Sequence, residues 1–301
     1  MAKNPEKYVK LSQDIRGKNV FITGGTSGIG KETALALGRC GANVYIHGRN
    51  REKGEEIVNK LQKDIGTKSD FIRADFSKLQ EVRAAYETIS DEIDHLDILF
   101  NNAGGFFRGE KTGTNDLEYT FVVNHLASFL LTTKLLPLLK ESEQTSKIIL
   151  TSSSAHRTVD NFDFNAIEEP TNNWESYGRS KLANVLFSLF LARKLDDKKV
   201  VSTAVHPGVI PGSGFLRNLP GPVGKIGHIS NYVPLPGLST PKQGSASLLN
   251  AMKTPPQNSG VYYSKRKAER PATIAQDTKL QTKVQKKSAK YANISFPEDY
   301  E

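Results

Sequence analysis

Tyr177 and Lys181 stand four residues apart and carry the clearest chemical potential in the chain. On a helix, side chains at this spacing lie on one face, so the phenol and the ammonium can converge. A phenol with a pKa of about 10 is a weak base at neutral pH, but a nearby ammonium stabilises the phenolate. The pair is therefore a candidate acid/base group, with a solvated helix face as the alternative interpretation.

A glycine-rich turn lies between the apolar run KNVFIT and the helical pattern KETALALGRC. A strand, a glycine turn and a helix N-terminus together present backbone N–H groups and the positive end of a helix dipole to a pyrophosphate. Glycine is required where a Cβ would block that approach. We therefore expect a dinucleotide site here, with a purely structural turn as the alternative. The turn consists of Gly24, Gly25, Thr26, Ser27, Gly28, Ile29 and Gly30.

The end of the second predicted strand, VYIHGRN at residues 44–50, indicates which dinucleotide binds. Sites for NAD usually place Asp or Glu here to hold the ribose 2′-hydroxyl, and none is present. Arg49 is present instead, and a guanidinium pairs with a 2′-phosphate that a carboxylate would repel. The sequence therefore predicts NADP(H), unless Arg49 is a surface residue that opens the next helix.

Short apolar runs alternate with longer helical patterns, which is typical of a parallel sheet covered by helices on both faces. We expect a single α/β domain of the Rossmann type, with a doubly wound parallel sheet of about seven strands. Its predicted bounds are residues 18–268, preceded by a polar extension at 1–17 and followed by a basic tail at 269–301. The predicted strands are residues 19–23, 43–47, 70–73, 96–100, 147–151, 200–206 and 260–263.

Proline and glycine become dense after Pro207, and residues 209–240 form a predicted substrate loop. Apolar side chains on such a loop could close over a hydrophobic substrate, which favours a lipophilic carbonyl compound or alcohol. Those side chains are Phe215, Leu216, Leu219, Ile226, Tyr232, Val233 and Leu235. A second wall is predicted from Phe162, Phe164 and Trp174.

Several motifs in the expected order resemble the short-chain dehydrogenase/reductase superfamily. Residues 23–30 match its TGxxxGIG turn, residues 101–104 its NNAG motif, and residues 177–181 its YxxxK motif. The fragments NHLASFLLT, SKLANVLF, HPGV and SGVYY resemble more narrowly its retinol-dehydrogenase-like branch. The resemblance extends over residues 18–265 and implies hydride transfer between a nicotinamide dinucleotide and a carbonyl compound or alcohol, with Tyr177 as the acid/base group.

The resemblance also implies roles for further residues. Ser153 would hold the substrate oxygen, although Ser152 and Ser154 are adjacent candidates. Asn124 would hold a water that connects Lys181 to solvent, and Lys181 would bind the nicotinamide ribose. The structural alternatives are a strand cap for Ser153 and satisfaction of buried backbone for Asn124. The implied cofactor-binding set further includes Asp75, Asn102, Ala103, Gly104, Pro207, Gly208 and Val209.

Two positions depart from the family pattern. The family usually carries Thr or Ser shortly after its PG motif to bind the nicotinamide amide, whereas Val209 and Ile210 are followed here by Pro211 and Gly212. Ser213 is the candidate substitute. Ala127 stands where the branch commonly has glycine, a change of one methyl group.

Composition limits the remaining classes. The 301 residues are 37% hydrophobic and 24% charged, which is typical of globular proteins and excludes disorder as the main interpretation. One cysteine, Cys40, excludes an internal disulfide, and no His/Cys grouping has metal-ligand spacing, so we expect a reduced, cytoplasmic compartment and no metal site. We find no signal peptide and no apolar run long enough to span a membrane. His156, His206 and Cys40 are interpreted as packing residues.

Three functional hypotheses follow. The first is an NADP(H)-dependent oxidoreductase, and the second is a dinucleotide-sensing interaction protein without turnover. The third is a binder of nucleic acid or of an anionic surface through the basic C-terminal segment, which contains no recognisable reading module, so we expect no nucleic-acid partner. The formal charge of +9 is spread among acidic neighbours and indicates a solvated surface. The family resemblance also implies a homodimer that pairs through the helices holding Asn124 and Tyr177.

Overall fold

One sheet runs through the part of the chain that the computed structural model describes, namely residues 15–107, 114, 116–169, 172–195, 199–210, 238–296 and 300. Its strands are arranged in the order β3-β2-β1-β4-β5-β6-β7-β8, and every pair is parallel except β7 with β8. They are β1 (Asn19–Ile22), β2 (Asn43–Gly48), β3 (Ser69–Arg73), β4 (Ile98–Asn101), β5 (Ser146–Thr151), β6 (Val200–His206), β7 (Tyr262–Ser264) and β8 (Lys267–Glu269).

The doubly wound α/β fold predicted from the sequence is confirmed, with one strand more than expected. β8 escaped prediction because its three residues, KAE, are all exposed and carry no apolar pattern. It pairs with β7 in a tight hairpin, in which Lys265 adopts a positive φ of 56°. The strand order reverses between β1 and β4, and ligands of such sheets bind outside the carboxyl ends of the strands at that point.

Helices cover both faces of the sheet. Alternate residues of β1 point to opposite faces, so Phe21 lies in one apolar core and Val20 and Ile22 in the other. One core is closed by α1, α2 and α6, and the other by α3, α4, α5 and α7. The helices are α1 (Gly28–Arg39), α2 (Arg51–Asn59), α3 (Leu79–Glu92), α4 (Tyr119–Lys140), α5 (Asn173–Lys194), α6 (Pro241–Ala251) and α7 (Thr278–Tyr291).

In the described ranges, α4 is the one helix whose length and apolar composition would suffice to cross a membrane. Its most apolar window is 78% buried inside the fold, against the sheet and α5. A helix that lies in the core of a folded domain can meet the same criteria of length and apolar composition as a membrane-spanning helix. The burial of its leucines and phenylalanines is therefore accounted for by packing within the protein.

Residues 269–301, interpreted from the sequence as a basic tail, contain a helix that packs on the domain. Asp277 caps α7 by accepting hydrogen bonds from the backbone N–H groups of Lys279 and Leu280. Val284 and Ala289 are buried against α5, and the ring of Tyr300 lies 5.4 Å from that of Phe190. This helix was not predicted from the sequence because the many lysines of its exposed face interrupt the narrow stripe of apolar residues that packs on the domain.

α7 lies on α4 and α5, the helices through which the family resemblance implies pairing of two copies. The Tyr300 hydroxyl also reaches Thr133 on α4, at 3.2 Å. A second copy could therefore use only the surface of these helices that α7 leaves uncovered.

Most of the predicted substrate loop, residues 211–237 with all seven of its apolar side chains and Ser213, lies outside the described residues.

Candidate active site

A cavity of about 460 Å³ opens at the carboxyl ends of the parallel strands. It is continuous from the glycine turn after β1 to the segment after β6. The described residues predicted to bind the cofactor or to catalyse line it except Gly25, Gly30 and Asn124, which lie behind its wall. The structure thus brings the candidate cofactor and catalytic residues together in one site.

The glycine turn has the geometry of a phosphate cradle. Gly24 and Gly28 adopt positive φ values of 67° and 55°, which glycine tolerates better than other residues. A Cβ on Gly30 would overlap the carbonyl oxygen of Gly24 and lie 2.8 Å from Asn102 Nδ2. Ser27 begins α1 without a side-chain cap, so the first N–H groups of this helix have no partner within it. The cradle fits the pyrophosphate of a dinucleotide.

Thr23 joins this turn to the loop after β4. Its Oγ1 accepts hydrogen bonds from the backbone N–H groups of Asn102 and Ala103, both at 2.9 Å, and donates to the carbonyl of Phe100. Asn102 Nδ2 donates in return to the carbonyl of Thr23 at 3.1 Å. Two of these four hydrogen bonds are made by Asn102, and they hold it at the cavity wall.

His47 is a site residue that the sequence analysis missed. Its Nδ1 accepts a hydrogen bond from the N–H of Gly24 at 3.2 Å, and its Nε2 donates to the carbonyl of Ala74 at 3.0 Å. The ring stacks on Phe76 with centroids 3.7 Å apart. Burial lowers the pKa of His47 to about 4, so the ring stays neutral and keeps Nδ1 free to accept. His47 thus ties the turn to the end of β3.

Arg49 and Asp75 line the other end of the cradle. Arg49 follows β2 and is exposed, which leaves its guanidinium accessible to a ligand. Asp75 is fixed through its backbone N–H, which donates to Glu81 Oε2 at 2.7 Å, and through its Oδ1, which accepts from the N–H of Ser77. Neither residue immediately after β2, Arg49 or Asn50, is acidic.

Tyr177 and Ser153 face each other across the cavity. Tyr177 is 7% exposed, and burial raises the pKa of its phenol to about 12, with a hydrogen bond to Ser153 opposing that shift. The hydroxyl of the neighbouring Ser152 is engaged elsewhere, donating to the carbonyl of Lys181 at 2.8 Å. Of these two serines, Ser153 is therefore the one that can hold a substrate oxygen beside the phenol.

Lys181 extends from the next turn of α5 into the buried end of the site. Its Nζ donates to the carbonyl of Thr151 at 3.2 Å and lies 5.7 Å from the centre of the Tyr177 ring. Burial lowers the pKa of the ammonium to about 8. Without a bound dinucleotide, desolvation of the phenol is the largest influence on the Tyr177 pKa, and stabilisation of the phenolate by Lys181 stays a prediction.

Asn124 shapes the wall next to Lys181. Its Oδ1 accepts from the N–H of Gly105 at 2.9 Å, and its Nδ2 donates to the carbonyl of the same residue at 3.0 Å. Asn124 lies in a widened turn of α4, Val122–Leu126. A Cβ on Gly104 would lie 2.5 Å from Asn124 Oδ1 and 3.4 Å from Lys181 Nζ, so only glycine fits between the two.

An aromatic group surrounds the phenol. The centre of the Tyr177 ring lies 5.9 Å from that of Phe106 and 6.1 Å from that of Trp174, and Trp174 is 45% exposed. Phe162 and Phe164, predicted to share this wall, lie elsewhere: Phe162 is buried in the core, and Phe164 packs beneath Lys283 of α7. Of the three residues predicted to form a second wall, only Trp174 therefore lines the cavity.

The two histidines interpreted as packing residues lie close to the site. His156 Nδ1 donates to the carbonyl of Ser153, at 2.6 Å, and its Nε2 accepts from the N–H of Ala272. His206 lines the cavity at the end of β6. Burial lowers the pKa of both rings, that of His206 to about 4.

The buried histidines predict how stability depends on pH. His47, His125 and His206 each have a pKa of about 4 in the folded protein, below the value of about 6.5 expected after unfolding. Unfolding therefore takes up protons below pH 6.5. As the pH is lowered from there, each of these histidines should reduce the free energy of unfolding by roughly 1.4 kcal/mol per pH unit. Urea unfolding between pH 7 and pH 5 measures this slope. His125→Gln should remove roughly 1.4 kcal/mol per pH unit from that slope, and equal slopes would contradict the assignment.

Sequence comparisons find relatives over most of the chain. The sequence profile of the family described as short chain dehydrogenase matches residues 18–219. A Streptomyces sp. (strain C5) protein assigned as daunorubicin C-13 ketoreductase DnrU is 33% identical over 278 residues, covering 91% of this chain and 92% of its own. Human retinol dehydrogenase 14 is also 33% identical, over 90% of this chain and 84% of its own.

Solved structures share the fold. A crystal structure of an uncharacterised protein from Mycobacterium paratuberculosis matches with a TM-score of 0.72 at 23% identity, over 94% of this chain and 96% of that one. Pseudomonas aeruginosa RhlG, solved as an NADP active-site complex, matches with a TM-score of 0.62 at 24% identity, over 83% and 94%. By its sequence match over two thirds of its length and by its doubly wound fold, the chain belongs to the short-chain dehydrogenase family.

Proposed function

We propose that the protein is an NADP(H)-dependent oxidoreductase that interconverts a lipophilic aldehyde or ketone and its alcohol. The observation that carries the proposal is that Ser153, Tyr177 and Lys181 share one cavity with the glycine turn and Arg49. The activities after which two relatives are named, retinol dehydrogenase and ketoreductase, support the same class of reaction. Retention of both Tyr177 and Lys181 favours turnover over a role in dinucleotide sensing alone.

Each residue has a role that its position supports. The glycine turn and the N-terminus of α1 bind the pyrophosphate, with His47 holding Gly24 in place. The dinucleotide, when bound, supplies the hydride for the carbonyl carbon or accepts it from the alcohol. Ser153 holds the reacting oxygen, and Tyr177 donates a proton to it during reduction. During oxidation Tyr177 takes up that proton, and the ammonium of Lys181 stabilises the resulting phenolate.

The proposed substrate class follows from the surroundings of Tyr177. Phe106 and Trp174 flank the phenol, and Phe107 and Tyr119 form a second aromatic pair on the cavity wall, with centroids 4.9 Å apart. Apolar rings of this kind favour a substrate whose carbonyl is attached to a hydrophobic body. The test is NADPH oxidation by the purified full chain with nonanal, decanal, acetophenone and retinal. Turnover that rises with hydrophobicity supports the proposal, whereas NADPH binding without turnover favours the sensing role.

Arg49 carries the proposed preference for NADP(H). Arg49→Glu replaces a cation that can pair with the 2′-phosphate by an anion that repels it. We expect the Kd for NADPH to rise by about 100-fold or more, because charge-assisted hydrogen bonds contribute about 1.5–3 kcal/mol and repulsion is added to that loss. The Kd for NADH should change little. Fluorescence titration with both cofactors measures the ratio, and Arg51→Glu, two residues further on, is the matched control.

A further inference from the structure

A chain of buried hydrogen bonds joins the C-terminal helix α7 to the catalytic end of the site. Ser288 Oγ lies 2.9 Å from His125 Nε2, and His125 Nδ1 lies 3.1 Å from Asn184 Oδ1. Asn184 Nδ2 then reaches two backbone carbonyls, that of Asn124 at 3.0 Å and that of Thr151 at 3.2 Å. Ser288, His125 and Asn184 are each at most 1% exposed, so water does not substitute for any of these bonds.

The direction of every bond in this chain is determined by its ends. Carbonyl oxygens only accept, so Asn184 must direct its NH₂ group at them and its Oδ1 at His125. His125 must then carry its proton on Nδ1, which leaves Nε2 to accept from the hydroxyl of Ser288. Burial lowers the pKa of His125 to about 4, which keeps the ring neutral as this arrangement requires. The rings of Phe121, Phe129 and Phe187 surround it.

This chain of hydrogen bonds ends at the backbone carbonyl that accepts a hydrogen bond from the ammonium of Lys181. The carbonyl of Thr151 accepts two hydrogen bonds, one from Asn184 and one from Lys181, each at 3.2 Å. The amide of Asn184 therefore fixes the carbonyl to which Lys181 is anchored, and it ties the end of β5 to the widened turn of α4 that carries Asn124. Movement of this amide would move the ammonium relative to Tyr177.

We propose that Asn184 and His125 are positioning residues for Lys181, and that Ser288 makes the C-terminal helix part of the support for the catalytic site. The proposal rests on the proposed function, in which Lys181 serves Tyr177. Ser288 acts by selecting the histidine tautomer: without its hydroxyl, a proton on Nε2 becomes competitive, and Nδ1 would then oppose Asn184 Oδ1 with two acceptors face to face.

The first experiment reads the histidine itself in the protein without cofactor. Nitrogen-15 histidine NMR, with His125→Gln for assignment, should show His125 as the neutral Nδ1–H tautomer at pH 7. Ser288→Ala should shift the Nε2 resonance and populate the other tautomer. Ser188 lies on the same helix as Asn184, and its buried hydroxyl contacts that of Ser202 on β6. Ser188→Ala should change neither the Nε2 resonance nor the tautomer of His125. An Nε2–H tautomer or a protonated ring in the wild type would overturn the proposal.

The second experiment reads Lys181 through the pH dependence of alcohol oxidation. The groups that face the phenol are Ser153, from the segment after β5, and Lys181, from its own helix. The alcohol of the best carbonyl in the panel is oxidised with NADP⁺. Ser288→Ala and His125→Phe should lower kcat at neutral pH by about ten-fold and move its alkaline rise to higher pH, because a displaced ammonium stabilises the phenolate less. The KM for the alcohol should remain close to the wild-type value.

Two controls separate positioning from packing. His125→Gln retains a donor for Asn184 and an acceptor for Ser288, so its pH profile should match that of the wild type. Ser188→Ala should also have the wild-type pH profile. If Ser288→Ala and Ser188→Ala have the same profile, the positioning role is refuted. If the wild type turns over no carbonyl in the panel, the proposed function fails instead. NADPH binding then decides the positioning role, which predicts a weaker Kd for Ser288→Ala than for Ser188→Ala because Lys181 is placed to hold the nicotinamide ribose.

Discussion

Tyr177→Phe is expected to lower kcat for carbonyl reduction by about 10³-fold, within the range of 10²–10⁴ that general acid catalysis contributes. The change removes only the hydroxyl that faces Ser153 and keeps the ring between Phe106 and Trp174. The Kd for NADPH and the unfolding midpoint should therefore stay close to the wild-type values. Steady-state NADPH oxidation measures the loss, and fluorescence titration measures the binding.

Ser152→Ala is the matched control for a polar group at the catalytic end. Its hydroxyl donates to the carbonyl of Lys181 and does not hold the substrate oxygen, so kcat should fall far less than for Ser153→Ala. A phenylalanine variant of Tyr177 that kept wild-type kcat would show that another group moves the proton. The reaction would then have to be assigned to a different acid in the cavity.

Gly30→Ala is expected to raise the Kd for NADPH by about 100-fold or more, which corresponds to about 2.7 kcal/mol of binding free energy. The added Cβ would overlap the carbonyl oxygen of Gly24 and crowd Asn102 Nδ2, so the turn that cradles the phosphates must move. We also expect a loss of stability of about 1–3 kcal/mol from overpacking. Cofactor titration and urea unfolding measure the two effects separately.

Gly38→Ala separates cofactor binding from general damage to α1. A Cβ at Gly38 would overlap Cδ2 of Leu61, at the end of the helix remote from the phosphate turn. This variant should lose stability and retain NADPH affinity. If Gly30→Ala bound NADPH as tightly as Gly38→Ala, the turn after β1 would not be the phosphate site.

Local chemistry made much of the fold and site predictable. Tyr177 and Lys181 are four residues apart, and this spacing alone places them on one helix face. The glycine turn lies directly between an apolar run and a helical pattern, and this local context alone predicts a phosphate-binding turn. The α/β class followed from alternating apolar periods. The missed parts depend on distant partners: His47 bonds Gly24 and Ala74, which stand 23 and 27 residues away.

The C-terminal helix shows the same limit in its packing. Its lysine-rich sequence predicts a solvated segment, and only the three-dimensional structure shows Ser288 in contact with His125, 163 residues earlier. The pKa values were also outside the reach of the sequence. Desolvation raises that of Tyr177 and lowers that of Lys181, and the extent of burial is a property of the assembled fold.

In the proposed reaction, NADPH transfers a hydride to the carbonyl carbon of a lipophilic substrate in this cavity. Reduction of decanal or retinal by the purified full chain with NADPH deuterated at nicotinamide C4 tests it most directly. We expect mass spectrometry to find deuterium on the carbinol carbon of the alcohol, and Tyr177→Phe to form about 10³-fold less product per unit time. Tight NADPH binding without deuterated alcohol from any carbonyl in the panel would contradict it.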